Sequence, residues 1–94
     1  RGAYVLMDRA TYITLRKDIK LQVLVEKDED LLNFIAAIKI NPAKFPKINA
    51  QGAKEFVDWL VGDEAQTLIK DFGVKEYGQP LFFPHSDEWK KAHP

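Results

Sequence analysis

The chain has 94 residues and no cysteine, and its 14 lysines and arginines balance its 14 aspartates and glutamates. This length allows one small domain with a modest core, and the missing cysteines exclude disulfides and thiolate metal sites. A net charge of zero argues against a general nucleic-acid binder, because affinity for the phosphate backbone needs a basic face.

The first element is an apolar run at residues 3–7, which predicts a short buried strand. A segment with helical spacing follows at residues 9–17. The first backbone N–H groups of a helix have no internal acceptors and the helix dipole favours negative charge, so such a turn can bind an anion. Arg9 would add a charged, planar set of donors to this turn, and Thr11 would add a neutral hydroxyl.

A purely structural interpretation of the same turn is the more common one on sequence physics alone. In it Asp8 caps the helix, Arg9 pairs with a nearby carboxylate, and Thr11 is an ordinary residue of the first turn. Asp8 would also compete with a ligand for the same N–H groups.

Two further strands are predicted in the middle of the chain. Residues 21–25 alternate between apolar and mixed positions, and residues 31–42 form a second long apolar run that Pro42 ends. The charged residues 26–30 between them lack the spacing and the glycine of a calcium loop, so they predict a solvated turn.

The strongest helical pattern begins after Asn49, which can cap the helix, and it ends at Gly62. A second helix begins at Asp63, where Gln66 three positions later approximates a capping box. Gly73 supplies the left-handed residue that ends it.

The C-terminal segment predicts an extended run at residues 81–83, pressed onto the core, and a last helical turn that Ser86 caps. The whole order is strand, helix, strand, strand, helix, helix. This order predicts an α/β fold whose sheet is incomplete.

Few residues are arranged for chemistry. His85 and His93 have no companions at metal-ligand spacing, and Ser86 lacks the glycine-flanked turn of a serine nucleophile. The chain is therefore not expected to be an enzyme. Four aromatic residues could form a ligand box, but we expect them in the core: Trp59, Trp89, Phe82 and Phe83.

The chain resembles the C-terminal portion of tungstate-binding proteins over residues 3–84. Four stretches carry the resemblance: AYVLMDRATYITL, LQVLVEKDEDLLNFIAAIKINP, AKEFVDWLVGDEAQTLIKDFG and QPLFFP. DRATY and LFFP are the more specific parts, whereas the helix pair is shared with binding proteins for molybdate, phosphate and similar anions. Tungstate-binding proteins are solute-binding components of ABC transporters and have the type II periplasmic binding protein fold.

The resemblance implies two α/β lobes with a tungstate or molybdate oxyanion held in the cleft between them. The chain would be a single C-terminal fragment over 1–94, with about 1–20 from the second lobe and about 21–94 forming a crossing strand and first-lobe helices. Arg9 would be the main ligand contact, with Thr11 and the backbone N–H groups of Ala10 and Thr11 behind it. No cofactor is implied.

The implied function is capture of the oxyanion for uptake and delivery to a membrane permease, in the periplasm or at an extracytoplasmic membrane anchor. Because the chain begins with Arg1 and lacks the family's N-terminal threonine- and serine-rich turn, we expect a piece of a longer protein that binds the anion weakly alone. We also expect the piece to associate with the remainder of its own chain, or with other copies through open strand edges.

Two alternatives remain open at this point. One is the ligand-sensing domain of a transcriptional regulator with the same fold. The other is an α/β interaction domain without a small ligand, which would be favoured if Arg9 were buried against a carboxylate.

Overall fold

A computed structural model describes residues 2–94, and Arg1 lies outside the described part. Its elements are helices and one short 3-10 turn, in the order α1 (Arg9–Leu15), a 3-10 turn (Glu29–Leu31), α2 (Ala50–Val61), α3 (Asp63–Asp71), α4 (Val74–Tyr77) and α5 (Asp87–Ala92). Helices α2, α3 and α5 pack against one another and form the organised part of the molecule.

The boundaries of α2 follow the predicted signals. The Asn49 side chain accepts a hydrogen bond from the Gly52 N–H at 2.9 Å and so caps the helix. Gly62 ends α2, and its N–H donates to the Trp59 carbonyl. The predicted capping box of α3 is wrong, because no side chain caps this helix and the Gln66 side chain points to other partners.

The core of the described residues is small. Its buried apolar side chains are Ile13, Ala65 and Leu81. Gly73 takes a φ of +80° at the end of α3, as predicted, and a Cβ atom there would lie 2.9 Å from the Cγ of Leu81. The glycine therefore allows both the left-handed turn and the close approach of Leu81.

The predicted α/β fold is wrong for residues 2–94, because this part of the chain contains helices and no strand. The three apolar runs expected as strands, 3–7, 21–25 and 31–42, have no strand structure. Their side chains are exposed: 88% for Tyr4 and 87% for Ile38. Hydrophobic periodicity indicates which residues favour burial, but a strand also needs a neighbour for its backbone donors and acceptors, and residues 2–94 offer none to these runs.

The expectation of an aromatic core is also wrong. Trp59, Phe82 and Phe83 are exposed, and only Trp89 is half-buried. The Trp59 ring lies 6.1 Å from that of Phe56, on the surface of α2. The helix that carries Phe56 and Trp59 was predicted correctly, but both side chains are exposed.

The molecule is extended, with principal dimensions of 52 × 30 × 24 Å and a radius of gyration of 17.5 Å. A compact domain of this length would have a radius of gyration of about 12 Å. Its accessible surface is 8514 Å², whereas a compact monomer of this size would expose about 5,500 Å². The difference is about 3,000 Å², and the exposed apolar runs contribute to it.

No helix between residues 2 and 94 has the length and apolar character needed to cross a membrane. The division of the chain at about residue 20 into parts of two lobes is tested by none of these observations and stays a prediction.

Candidate anion site at Arg9

The N-terminus of α1 is closed by its own capping residue. The Asp8 carboxylate accepts hydrogen bonds from the Thr11 N–H and from the Thr11 hydroxyl, both at 2.9 Å. The bond from the backbone N–H has the larger effect and the bond from the hydroxyl the smaller, and both hold the pKa of the Asp8 carboxyl below its ordinary value of 3.8. Both donors of Thr11 are thus used by a carboxylate, as the structural interpretation of this turn predicted for Asp8.

Arg9 is bound to a distant segment of the chain. Its guanidinium donates to the Pro80 carbonyl through Nη1 and to the Gln79 side-chain oxygen through Nη2, at 3.1 Å for the latter. Its Cζ atom also lies 4.8 Å from the centroid of the Phe83 ring, within the range of a cation–π contact. Residues 79–83 therefore hold the guanidinium from 70 positions away in sequence.

The acceptors around Arg9 are neutral. Among residues 2–94 no carboxylate pairs with Arg9, so the predicted carboxylate partner is wrong for this part of the chain. A guanidinium has five N–H donors, of which two are used here. Arg9 is exposed and keeps its full positive charge together with further donors. Ala10 beside it can offer only its backbone N–H, which has no helical acceptor in the first turn.

The segment that holds Arg9 is itself fixed by a buried amide. Gln66 on α3 is 6% exposed, and its Nε2 donates to the Leu60 carbonyl at 2.8 Å. Its Oε1 accepts from the backbone N–H groups of His85 and Ser86, at 3.1 and 3.3 Å. One side chain therefore joins the end of α2, α3 and the segment before α5.

Ser86 adds two bonds at the same place. Its hydroxyl donates to the Val61 carbonyl at 2.6 Å and accepts from the Trp89 N–H at 3.1 Å, which confirms Ser86 as the cap of the last helix. With Leu81 buried beside Gly73, residues 79–86 are tied down at both ends. The position of Arg9 is thus set by a segment that is bound to the packed helices α2 and α3.

The two histidines serve no common site. The His85 ring lies 4.9 Å from that of Phe34, and the His93 ring stacks on Trp89 at 3.7 Å. His93 Nε2 lies 3.8 Å from an Asp63 carboxylate oxygen. In the described range, no group of three histidines or carboxylates could hold a metal ion.

Sequence reasoning missed the two glutamines that organise this site. Gln66 was assigned to a capping box from its spacing to Asp63, although the same amide lies buried between three segments. Gln79 gave no local signal, because its partner Arg9 is remote in sequence and joins it only in the folded chain.

Known proteins resemble the chain over most of its length. It is 44% identical over 84 residues to the tungstate-binding protein TupA of Peptoclostridium acidaminophilum, which is 89% of this chain and 29% of that protein. It is 34% identical over 82 residues to the tungstate-binding protein TupA of Campylobacter jejuni, and 32% identical over 90 residues to a Haloferax volcanii protein named as an ABC transporter anion-binding protein.

These matches confirm the resemblance to tungstate-binding proteins that the sequence predicted. The chain spans less than a third of each relative, namely 29%, 26% and 30% of their lengths. No family model matches the chain, and no solved structure matches it.

Proposed function

We propose that this chain is part of the solute-binding component of an ABC transporter, which captures tungstate or molybdate in a cleft for uptake. The names and identities of the relatives support this function. Those names describe binding proteins and not enzymes. The observation that carries the proposal within the chain is Arg9, an exposed cation held in place by neutral acceptors.

Arg9 is the main anion contact in this proposal, and Thr11 and Ala10 are secondary. The Thr11 hydroxyl has one proton, which it donates to Asp8, so it has no second proton for a ligand. The negative charge of Asp8 would also repel an anion from this end of α1. The anion is therefore expected on the guanidinium side, with the backbone N–H of Ala10 as the nearest neutral donor.

The remainder of a longer chain supplies the other donors. A dianion taken from water needs most of its oxygens satisfied, because a buried charge without partners is costly. Arg9 and a few neutral donors cannot meet this need. We therefore expect the 94-residue chain alone to bind the anion weakly or not at all.

The same remainder covers the exposed apolar runs. Their surface contributes to an excess of about 3,000 Å² over a compact monomer, comparable with the area of 2,000 Å² or more that obligate interfaces bury. The dilute monomer of the 94-residue chain leaves this surface exposed, and at higher concentration the chain would cover it by association with other copies. In the complete protein the partner is the permease of the transporter, and the protein acts outside the cytoplasmic membrane.

Calorimetric titration of the full-length protein with tungstate, molybdate and sulfate tests this function. Tungstate or molybdate should bind tightly, and Arg9→Ala should weaken binding by about ten- to a hundredfold, the value of a hydrogen bond to a charged group. Arg16→Ala is the matched control. Arg16, at the end of α1, also donates to a distant backbone carbonyl, that of Tyr77 at 3.3 Å.

The control should bind within about threefold of the wild type, since loss of a single exposed hydrogen bond to a backbone carbonyl changes little. Binding that survives Arg9→Ala unchanged would return Arg9 to a structural role. If the full-length protein bound none of the three anions, the function itself would be rejected.

A further inference from the structure

We infer that Gln79 is a positioning residue of the anion site, whose neutral side-chain oxygen orients Arg9 while leaving its charge for the ligand. This inference rests on the proposed function. Gln79 is half-buried, and its Oε1 accepts from Arg9 Nη2 at 3.1 Å. The Pro80 carbonyl accepts a hydrogen bond from the neighbouring nitrogen Nη1, so the two contacts fix the plane of the guanidinium as well as its location.

The choice of a neutral acceptor has an electrostatic consequence. A carboxylate at this position would orient Arg9 equally well and bind it more strongly, because ionised partners give shorter and stronger hydrogen bonds. It would also cancel the charge that attracts the anion and place a negative group next to it. The chain has 14 acidic residues, yet residues 2–94 place none of them in contact with this guanidinium.

Buried contacts hold the segment that carries Gln79. Leu81, two residues further along, is buried against Gly73, and the amide of Gln66 binds the backbone N–H groups of His85 and Ser86. The guanidinium also lies over the Phe83 ring, which occupies the space on that side. Gln79 thus connects the packed helical part of the molecule to the Arg9 guanidinium at the start of α1.

Gln79→Glu in the full-length protein separates positioning from simple attachment. The new carboxylate is nearly the same size as the amide and should keep or raise the melting temperature, because it forms an ion pair with Arg9. Affinity for tungstate at pH 7 should nevertheless fall by about tenfold or more, since the pair neutralises Arg9.

Two further variants complete the experiment. Gln79→Ala removes the acceptor without adding charge, so it should weaken binding less than Gln79→Glu while lowering the melting temperature. Gln51→Glu adds the same charge on α2, where the Gln51 side chain is exposed and donates a hydrogen bond to Glu55, and should leave affinity within about twofold of the wild type.

Each outcome has one meaning. If Gln79→Glu binds tungstate as tightly as the wild type, Gln79 only attaches α1 to the rest of the chain and the inference is overturned. An affinity loss equal in Gln79→Glu and Gln51→Glu would be an effect of net charge and would overturn it too. If the wild-type protein binds no oxyanion, the proposed function fails, and the assignment of Gln79 fails with it.

Discussion

The two halves of the chain, residues 50–94 and residues 2–48, differ in order in the opposite sense to their apolar content: the N-terminal half is richer in apolar residues and has less regular structure. In the C-terminal half, α2, α3 and α5 pack together and a buried amide binds the segment between them. In the N-terminal half only α1 and a 3-10 turn are regular. Residues 33–40 make no backbone hydrogen bond within the described chain.

The difference arises from where each backbone finds its partners. A helix satisfies most of its N–H and C=O groups internally, so α2 and α3 can form with little outside help once one apolar stripe is covered. An extended segment depends on another segment for every hydrogen bond. The N-terminal half is thus the part whose structure depends most on what surrounds it, and four experiments can test this comparison.

The largest expected effect is on amide hydrogen exchange. In the 94-residue chain, residues 33–40 should exchange at close to the rate of an unfolded peptide, whereas α3 should exchange about a hundredfold or more slowly. In the full-length protein the amides of residues 33–40 should become protected, since the remainder of the chain is proposed to cover them. Mass spectrometry of peptic fragments measures both states. Protection of residues 33–40 in the short chain would show that the halves do not differ in this way.

Substitution of one leucine in each half compares the two halves by the free energy of unfolding that each substitution costs. Leu81 is 7% exposed and Leu24 is 70% exposed. In the 94-residue chain, Leu81→Ala should therefore cost about 3 kcal/mol, the usual range for a buried leucine. Leu24→Ala should cost about 0.5 kcal/mol or less.

Urea denaturation of both variants gives the two values. In the full-length protein the cost of Leu24→Ala should rise towards that of Leu81→Ala. If the cost of Leu24→Ala stays small there, Leu24 remains exposed and the proposed cover does not reach it.

The next largest effect is expected from removal of the buried Gln66 amide. Gln66→Ala removes the acceptor for His85 and Ser86 and the donor for Leu60, so it should destabilise the chain by about 2 kcal/mol. Gln51→Ala is the control, because Gln51 is exposed and bonds only to Glu55 among residues 2–94. It should cost about 0.5 kcal/mol or less by the same denaturation measurement. Equal costs for the two variants would mean that the C-terminal half owes little of its order to Gln66.

The sequence predicted the helical half far better than the other. The caps at Asn49 and Ser86 and the left-handed Gly73 were all identified there, because each depends on residues within a few positions. In the N-terminal half the Asp8 cap was identified for the same reason. The strands were predicted wrongly from an equally local signal, since apolar alternation reports a preference for burial and not the presence of a neighbour.

The candidate site was predicted only in part, for the same reason. Arg9 was predicted as the anion contact from the turn that contains it, and this stays a prediction, whereas its partners lie 70 residues away and could not be inferred from spacing. The role expected of Thr11 is weakened by Asp8, whose competition for the same N–H groups could be anticipated from the sequence.

The smallest effect concerns Asp8, the cap of the only helix in the N-terminal half. Because the folded pKa of Asp8 lies below its ordinary value of 3.8, the charged cap stabilises α1 fully above that pH and loses this contribution as the pH falls through the lowered folded value. The chemical shift of the Thr11 amide proton should follow this titration, with a midpoint below 3.8. In Asp8→Asn, which keeps an acceptor oxygen but cannot titrate, the shift should stay constant over the same range. A wild-type midpoint at or above the ordinary value would mean that the cap is not formed in solution. In that case even α1 would depend on the rest of the protein, and the contrast between the two halves would extend to the whole N-terminal half.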